Sequence, residues 1–160
     1  MRTASSLNLM KKASERTAME AALHLLGYRA QSEWEIRTKL RRKGYGGAEI
    51  DKAVEALHRE HYLDDQALAE EIFEQYRESM RYGDRYIQNK LRSRGLSLDR
   101  HLTTEEEMEK AEAALRLKRE FAPGQSSDFR RAAGFLLRRG FSGSVVSAVL
   151  NRIGVEDDSF

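Results

Sequence analysis

Apolar residues in this chain recur at three- and four-residue intervals, the period of an amphipathic helix, and nowhere alternate as a half-buried strand would. Thr17 to Ala30 carries Ala21, Ala22, Leu25, Leu26 and Tyr28 at that spacing. Ser32, with Glu35 three residues on, forms a capping box that starts a second helix through Leu40. A third runs from about Ala48 to His61 on the stripe Ile50, Val54 and Leu57, and a fourth from about Asp65 to Ser79 on Leu68, Ala69, Ile72, Phe73 and Tyr76. Between Thr104 and Phe121, Met108, Ala111, Ala114, Leu115 and Leu117 mark another helix, with Pro123-Gly124 as its stop. Ser126 and Ser127 start the next, and Val145, Val146, Val149, Leu150 and Ile153 form the last stripe.

One phrase recurs inside this pattern. Ile36 to Gly44 reads I-R-T-K-L-R-R-K-G, Ile87 to Gly95 reads I-Q-N-K-L-R-S-R-G, and Ala132 to Gly140 reads A-A-G-F-L-L-R-R-G. Each copy has apolar residues eight and four positions before its glycine (Ile36 and Leu40, Ile87 and Leu91, Ala132 and Leu136) and one just after it (Tyr45, Leu96, Phe141). That is a helix ending in a left-handed glycine, with cations in the last turn where the dipole is negative. The following helix repeats too: Ile50, Val54 and Leu57 lie 6, 10 and 13 residues after Gly44, as Val146, Leu150 and Ile153 do after Gly140. The glycines are 51 and 45 residues apart, a period of helical repeat arrays.

The expected fold is therefore all-α: three tandem three-helix repeats in an elongated, curved array. Residues 17–63, 64–103 and 104–153 form the repeats, between a flexible lead-in at 1–16 and an acidic tail at 154–160. Gly83-Asp84 breaks and restarts the chain inside the second repeat. The third helix of that repeat is weakly written, with Leu98 and Leu102 as its only anchors; His101 and Glu105 stand where the other copies have apolar residues.

Composition narrows the function. Charged residues make up 34% of the 160, which suits a surface-rich helical shape. No cysteine excludes disulfides and thiolate chemistry and fits a reducing compartment. No apolar run reaches membrane-spanning length, and the first residues do not read as a signal peptide, so the expected location is the cytoplasm. The net charge of +2 is unevenly spread: residues 1–50 hold ten basic against five acidic groups, 51–80 three against nine, and 81–100 six against two. Alternating blocks favour a protein partner over a uniform nucleic-acid coat.

No enzyme motif is present: there is no phosphate loop, no nucleophile arrangement and no carboxylate pair of recognisable pattern. No cofactor, metal or small-molecule ligand is expected. His58 and His61, three apart, lack further ligands for a metal site. Asp64 and Asp65 fit as caps of the helix that follows, and Trp34 is expected to be partly buried. The basic corners hold the remaining chemistry: Lys39, Arg41, Arg42 and Lys43 in the first copy, Arg85, Lys90, Arg92 and Arg94 in the second, Arg138 and Arg139 in the third. Favourable helix ends explain one or two cations per corner. The first cluster exceeds that, and with units stacked at a common hand the corners would form a basic stripe for phosphates or an acidic protein surface. Acidic Glu70, Glu71 and Glu74 could face basic elements of a partner. Helix-turn-helix recognition fits less well, because the cations sit at helix C-termini.

Two stretches carry a family resemblance. His61-Tyr62-Leu63-Asp64-Asp65, Leu68-Ala69, and Gly83-x-x-x-Ile87-x-x-x-Leu91-x-x-Arg94-Gly95-Leu96 resemble the core signature of the RecX family of bacterial regulators. Ser32-x-x-Glu35-Ile36-x-x-x-Leu40-x-x-Lys43-Gly44-Tyr45 resembles its first unit, and the likeness covers about residues 18 to 153. Leu68 stands where the family commonly has an aromatic. The resemblance implies three three-helix repeats and a regulator of DNA repair and recombination without chemistry of its own. Its implied partner is the RecA recombinase filament on single-stranded DNA, with inhibition of strand exchange, ATP hydrolysis and coprotease activity. Direct DNA binding through a basic stripe, or a helical scaffold for another protein, are the alternatives.

Overall fold

A computed structural model describes residues 16–118 and 126–153, and among them the chain is all-α. Residues 1–15 of the lead-in, the Pro123-Gly124 stop and the acidic tail lie outside the described residues. The eight helices there are α1 (Ala18–Leu26), α2 (Glu33–Arg42), α3 (Gly47–Arg59), α4 (Asp65–Glu78), α5 (Asp84–Ser93), α6 (Thr104–Leu117), α7 (Ser126–Arg138) and α8 (Gly143–Arg152). None is long and apolar enough to cross a membrane. They fall into two compact units. One holds the chain up to Ala69 with Arg94–Leu96, the other Glu70–Ser93 with Ser97 onward.

In the first unit the stripes of α1, α2 and α3 meet in one core of Ala18, Ala21, Ala22, Ile36, Leu40, Ile50, Ala53, Val54, Leu57 and Leu63. The helix starts are set by side chains: Thr17 Oγ1 accepts from Glu20 N–H at 3.2 Å, and Ser32 with Glu35 forms the expected capping box. The α1 stripe ends earlier than its periodicity predicts. The helix stops at Leu26, Leu25 and Leu26 are half-buried, and Tyr28 is 76% exposed, its hydroxyl 3.3 Å from His24 Nε2.

In the second unit α6, α7 and α8 pack around Ala111, Ala114, Leu115, Ala132, Leu136, Phe141, Val145, Val149 and Leu150. The long α6 stops at Leu117, so that residue, expected inside, is 67% exposed. The weakly written third helix of the second repeat does not form: residues 96–103 carry no helix. Leu96, Leu98 and Leu102 are buried all the same. With polar residues at the positions a helical stripe needs, side chains of α5 partner this backbone instead. Asp84 Oδ1 accepts from Leu102 N–H at 2.9 Å, and Gln88 Nε2 donates to Arg100 O at 2.8 Å.

Candidate functional site

All three repeated glycines take the left-handed conformation, with φ of +93° at Gly44, +69° at Gly95 and +84° at Gly140. At the first and third the closing bond of a Schellman turn is in place: Tyr45 N–H reaches Leu40 O at 3.2 Å, and Phe141 N–H reaches Leu136 O at 3.2 Å. Tyr45 and Phe141 thus lie back over the helix they follow. His61, at φ +61°, ends α3 by the same device, with Tyr62 N–H 2.8 Å from Leu57 O. Residues Tyr62 and Leu63 then part, the first exposed and the second in the core.

The corners differ in what surrounds them. A Cβ on Gly44 would meet nothing within 4 Å, and Arg41, Arg42 and Lys43 around it are exposed. Among the described residues no ion pair engages those three. Lys39, one turn earlier, is drawn inward and donates to Gln31 Oε1, whose own amide N–H donates to Leu25 O at 2.8 Å. It serves the fold.

The second corner is pressed against the start of α2. A Cβ on Gly95 would lie 2.5 Å from Trp34 Cβ, and Ser32 Oγ donates to Arg94 O. Trp34 contributes the base of its side chain to this contact while remaining 51% exposed. The Arg94 guanidinium turns in rather than out, with Nε 3.1 Å from Glu35 Oε1, Nη2 3.0 Å from Oε2, and a further bond of 2.8 Å to Ala30 O. Glu35, 8% exposed, also accepts from Ser32 N–H and from Arg29 Nη2, each at 3.0 Å. Burial pushes its carboxyl upward, but the Arg94 fork and the Ser32 amide outweigh that and hold it below its ordinary 4.5.

The third corner repeats this joint in backbone. Gly83 N–H donates to Arg139 O at 2.8 Å and Arg85 N–H to Gly140 O at 3.1 Å. The carbonyls ending α7 thereby satisfy free amides at the start of α5. The approach is so close that a Cβ on Gly83 would sit 2.5 Å from Gly140 O, and one on Gly140 2.3 Å from Tyr86 N. Gly83 is therefore more than a break in the chain, and Ile87 and Leu91 on the same helix are fully buried. Arg139 lies with its guanidinium over Tyr82 at 5.2 Å and Phe135 at 5.1 Å. Arg138 stays exposed. On α5, Arg85 is exposed, Lys90 sits 5.2 Å over the Tyr86 ring, and Arg92 donates to Asn89 Oδ1 at 3.0 Å.

Acidic side chains repeat at the same joints. Asp64 caps α4 as expected, accepting from Ala67 N–H at 3.0 Å. Asp65 stands as the acidic residue in the first turn of α4, and its Oδ1 accepts from Glu33 N–H, the first residue of α2, at 2.9 Å. Glu107 plays the matching part at Asp84 N–H, 3.0 Å away. The acidic patch is also used internally: Arg100 pairs with Glu70 at 2.9 Å and with Glu74, and Arg77 bridges Glu74 and Glu106. Glu71 alone of the three remains exposed. His58 faces Glu33 at 2.8 Å, and the described residues hold no cluster of three metal-ligating side chains.

One polar anchor escaped the sequence reading. Lys110, 2% exposed, donates from Nζ to Tyr76 O at 3.1 Å, to Arg77 O at 2.6 Å and to Ser79 O, closing the C-terminus of α4. Burial lowers its pKa below 10.5. Its signal was the face it shares with Glu107, Ala111 and Ala114.

Comparison with known proteins gives a coherent result. Residues 18–57 match the family model described as RecX, first three-helix domain. The regulatory protein RecX of Trichlorobacter lovleyi is 32% identical over 142 residues, covering 82% of this chain and 92% of that one. The corresponding protein of Halorhodospira halophila is 32% identical over 152 residues, covering 91% and 94%. Among solved structures, RecX from Lactobacillus salivarius superposes with a TM-score of 0.70 at 19% identity, over 89% of this chain and 97% of that one. A second, titled regulatory protein RecX, gives 0.71 at 22% identity, over 92% and 77%. These two share the fold.

Proposed function

Because the chain belongs to the RecX family of regulatory proteins, we propose that it acts in the cytoplasm on the RecA recombinase filament assembled on single-stranded DNA. It restrains strand exchange, ATP hydrolysis and coprotease activity by occupying surface that DNA or a substrate protein needs, and has no catalysis of its own. The observation that supports this reading is the first corner. Arg41, Arg42 and Lys43 are exposed and unpaired among the described residues, whereas Arg94 is spent on a joint. Cations with no work in the fold are available to a partner. In the second unit Arg85, Arg92 and Arg138 are exposed cations of the same chemistry, and Arg139 offers the edge of its stacked guanidinium.

Binding to RecA filaments and to bare single-stranded DNA, compared across a salt series, tests the proposal. The filament is expected to bind more tightly at every salt concentration; equal affinity for both would replace this reading with direct DNA binding. Reversing Arg41, Arg42 and Lys43 to glutamate is expected to weaken filament binding and inhibition by about ten-fold or more, as loss of several charge contacts does, with helicity and melting nearly normal apart from the small loss of a favourable helix end. Unfolding of that variant would show the three cations to be structural.

A further inference from the structure

A groove of about 550 Å³ lies within the second unit, lined by Arg81, Leu117, Lys118, Phe135, Arg138 and Arg139. Its size is that of a site for a small ligand or a short peptide segment. Four of these residues are cations and none is acidic. Several other arginines among the described residues are matched by carboxylates, as Arg37, Arg77, Arg94 and Arg100 are. Arg81, Arg138 and Arg139 have no carboxylate partner among the described residues. Three unmatched guanidiniums around one concavity call for an anionic occupant, and their planar forks suit carboxylates or phosphates.

The apolar part of the groove decides between those anions. Grooves that hold a single nucleic-acid strand typically pair their cations with open aromatic faces on which bases stack. Here the rings are already covered. Phe135 lies under both Arg139 and Lys118, at 5.1 and 4.5 Å. Tyr82 is stacked on Tyr86 at 4.0 Å and covered by Arg139. What the groove offers instead is aliphatic: Leu117 projects at its rim, 67% exposed at the end of α6. We infer that this groove is a docking site for an acidic peptide segment of a partner protein, with carboxylates on Arg81, Arg138 and Arg139 and an aliphatic side chain packed against Leu117. The site goes beyond the corner surface proposed above, sharing Arg138 and Arg139 with it but not depending on which protein is regulated.

The test uses the full chain and a fluorescent short peptide of aspartate and glutamate carrying two leucines. A peptide with both leucines replaced by serine and an oligothymidine of similar length serve for comparison. At physiological salt the leucine peptide is expected to bind about five- to ten-fold more tightly than the serine peptide, the effect of burying an aliphatic side chain. The double variant Arg81→Glu/Arg138→Glu is expected to lose about ten-fold or more of that affinity, and Leu117→Ser to abolish the leucine advantage alone. Arg41→Glu/Arg42→Glu changes neither. Equal binding of the two peptides, or an equal loss on altering the first corner, would overturn the inference in favour of general charge attraction. Oligothymidine binding that depends on Arg81 and Arg138 would overturn it in favour of a phosphate site. Filament binding measured on the same variants keeps the two proposals separate: Leu117→Ser, which is no part of the corner surface, is expected to lose the leucine advantage with filament binding intact, and Arg41→Glu/Arg42→Glu to weaken filament binding with peptide binding intact.

Discussion

Adding a single methyl group at Gly44 or at Gly140 separates the two jobs of the corner glycine. Both sit at positive φ, so alanine at either site takes a left-handed conformation that costs about 1 kcal/mol. At Gly44 nothing lies within 4 Å of the new carbon, and that strain is the whole penalty. At Gly140 the methyl would sit 2.3 Å from Tyr86 N and 2.6 Å from Tyr86 Cβ, and the first of those is backbone that cannot swing aside. The start of α5 must then move away, at an overpacking cost of about 1–3 kcal/mol. Moving it also stretches the bonds from Gly83 N–H and Arg85 N–H, each worth about 1 kcal/mol. The expected losses are therefore about 1 kcal/mol for Gly44→Ala and about 3–5 kcal/mol for Gly140→Ala. Gly83→Ala falls between them, having the clash of 2.5 Å with Gly140 O but no positive φ. Urea unfolding followed by circular dichroism measures all three, and in a chain of this size each kcal/mol lowers the melting temperature by about 3 °C. Equal losses at Gly44 and Gly140 would refute the joint and leave the glycines as helix stops only.

Three other perturbations probe the remaining anchors. Arg94→Ala leaves Glu35 buried without its fork and is expected to cost about 2–3 kcal/mol, the worth of hydrogen bonds to a charged group, read from the same unfolding curves. Glu35 has its folded pKa below 4.5, so its contribution is complete above that value and lost as pH falls through the folded pKa. Glu35→Gln should flatten the acid limb of the stability curve between those two values, and an unchanged limb would remove Glu35 from the joint. Lys110→Met strands the carbonyls of Tyr76, Arg77 and Ser79 and is expected to cost about 2–3 kcal/mol with early loss of α4 amide protection in hydrogen exchange; a neutral result would mean that those carbonyls find water.

Much of this architecture was legible because it is written in local rules. Period and capping residues placed the helices to within a few positions, and the glycines at three fixed places in one phrase correctly announced left-handed turns. What could not be read is pairing across distance. The place of Arg94 just before the glycine marked it off from Arg92 but did not show that it turns in to Glu35, 59 residues away, while Arg92 stays on the surface. Asp65 obeyed the rule for a capping aspartate but served a helix 32 residues earlier. Gly83 gave no sign that it was small for the sake of Gly140. Residues 96–103 show the converse case, where the missing stripe was visible but the partners supplied by Asp84 and Gln88 were not.

The joints also explain why the basic phrase is thickest in its first copy. In the second and third copies the residues beside the glycine carry load: the carbonyls of Arg94 and Arg139 accept bonds from the helix start they rest on, and the Arg94 side chain is committed to Glu35. A charge reversal at Arg94 breaks its fork to Glu35, so that position answers to the fold. Gly44 has no such neighbour, and the side chains of Arg41, Arg42 and Lys43 take part in no joint. Cations that stability does not require, on a helix end that the dipole makes favourable for them, can vary with the needs of a partner alone. The same argument applies to Arg138, which stands one residue from a joint but points out of it, and to Arg81. Surface work in this chain is thus separable from structural work residue by residue, and the separation follows from which corner has a helix start pressed against it.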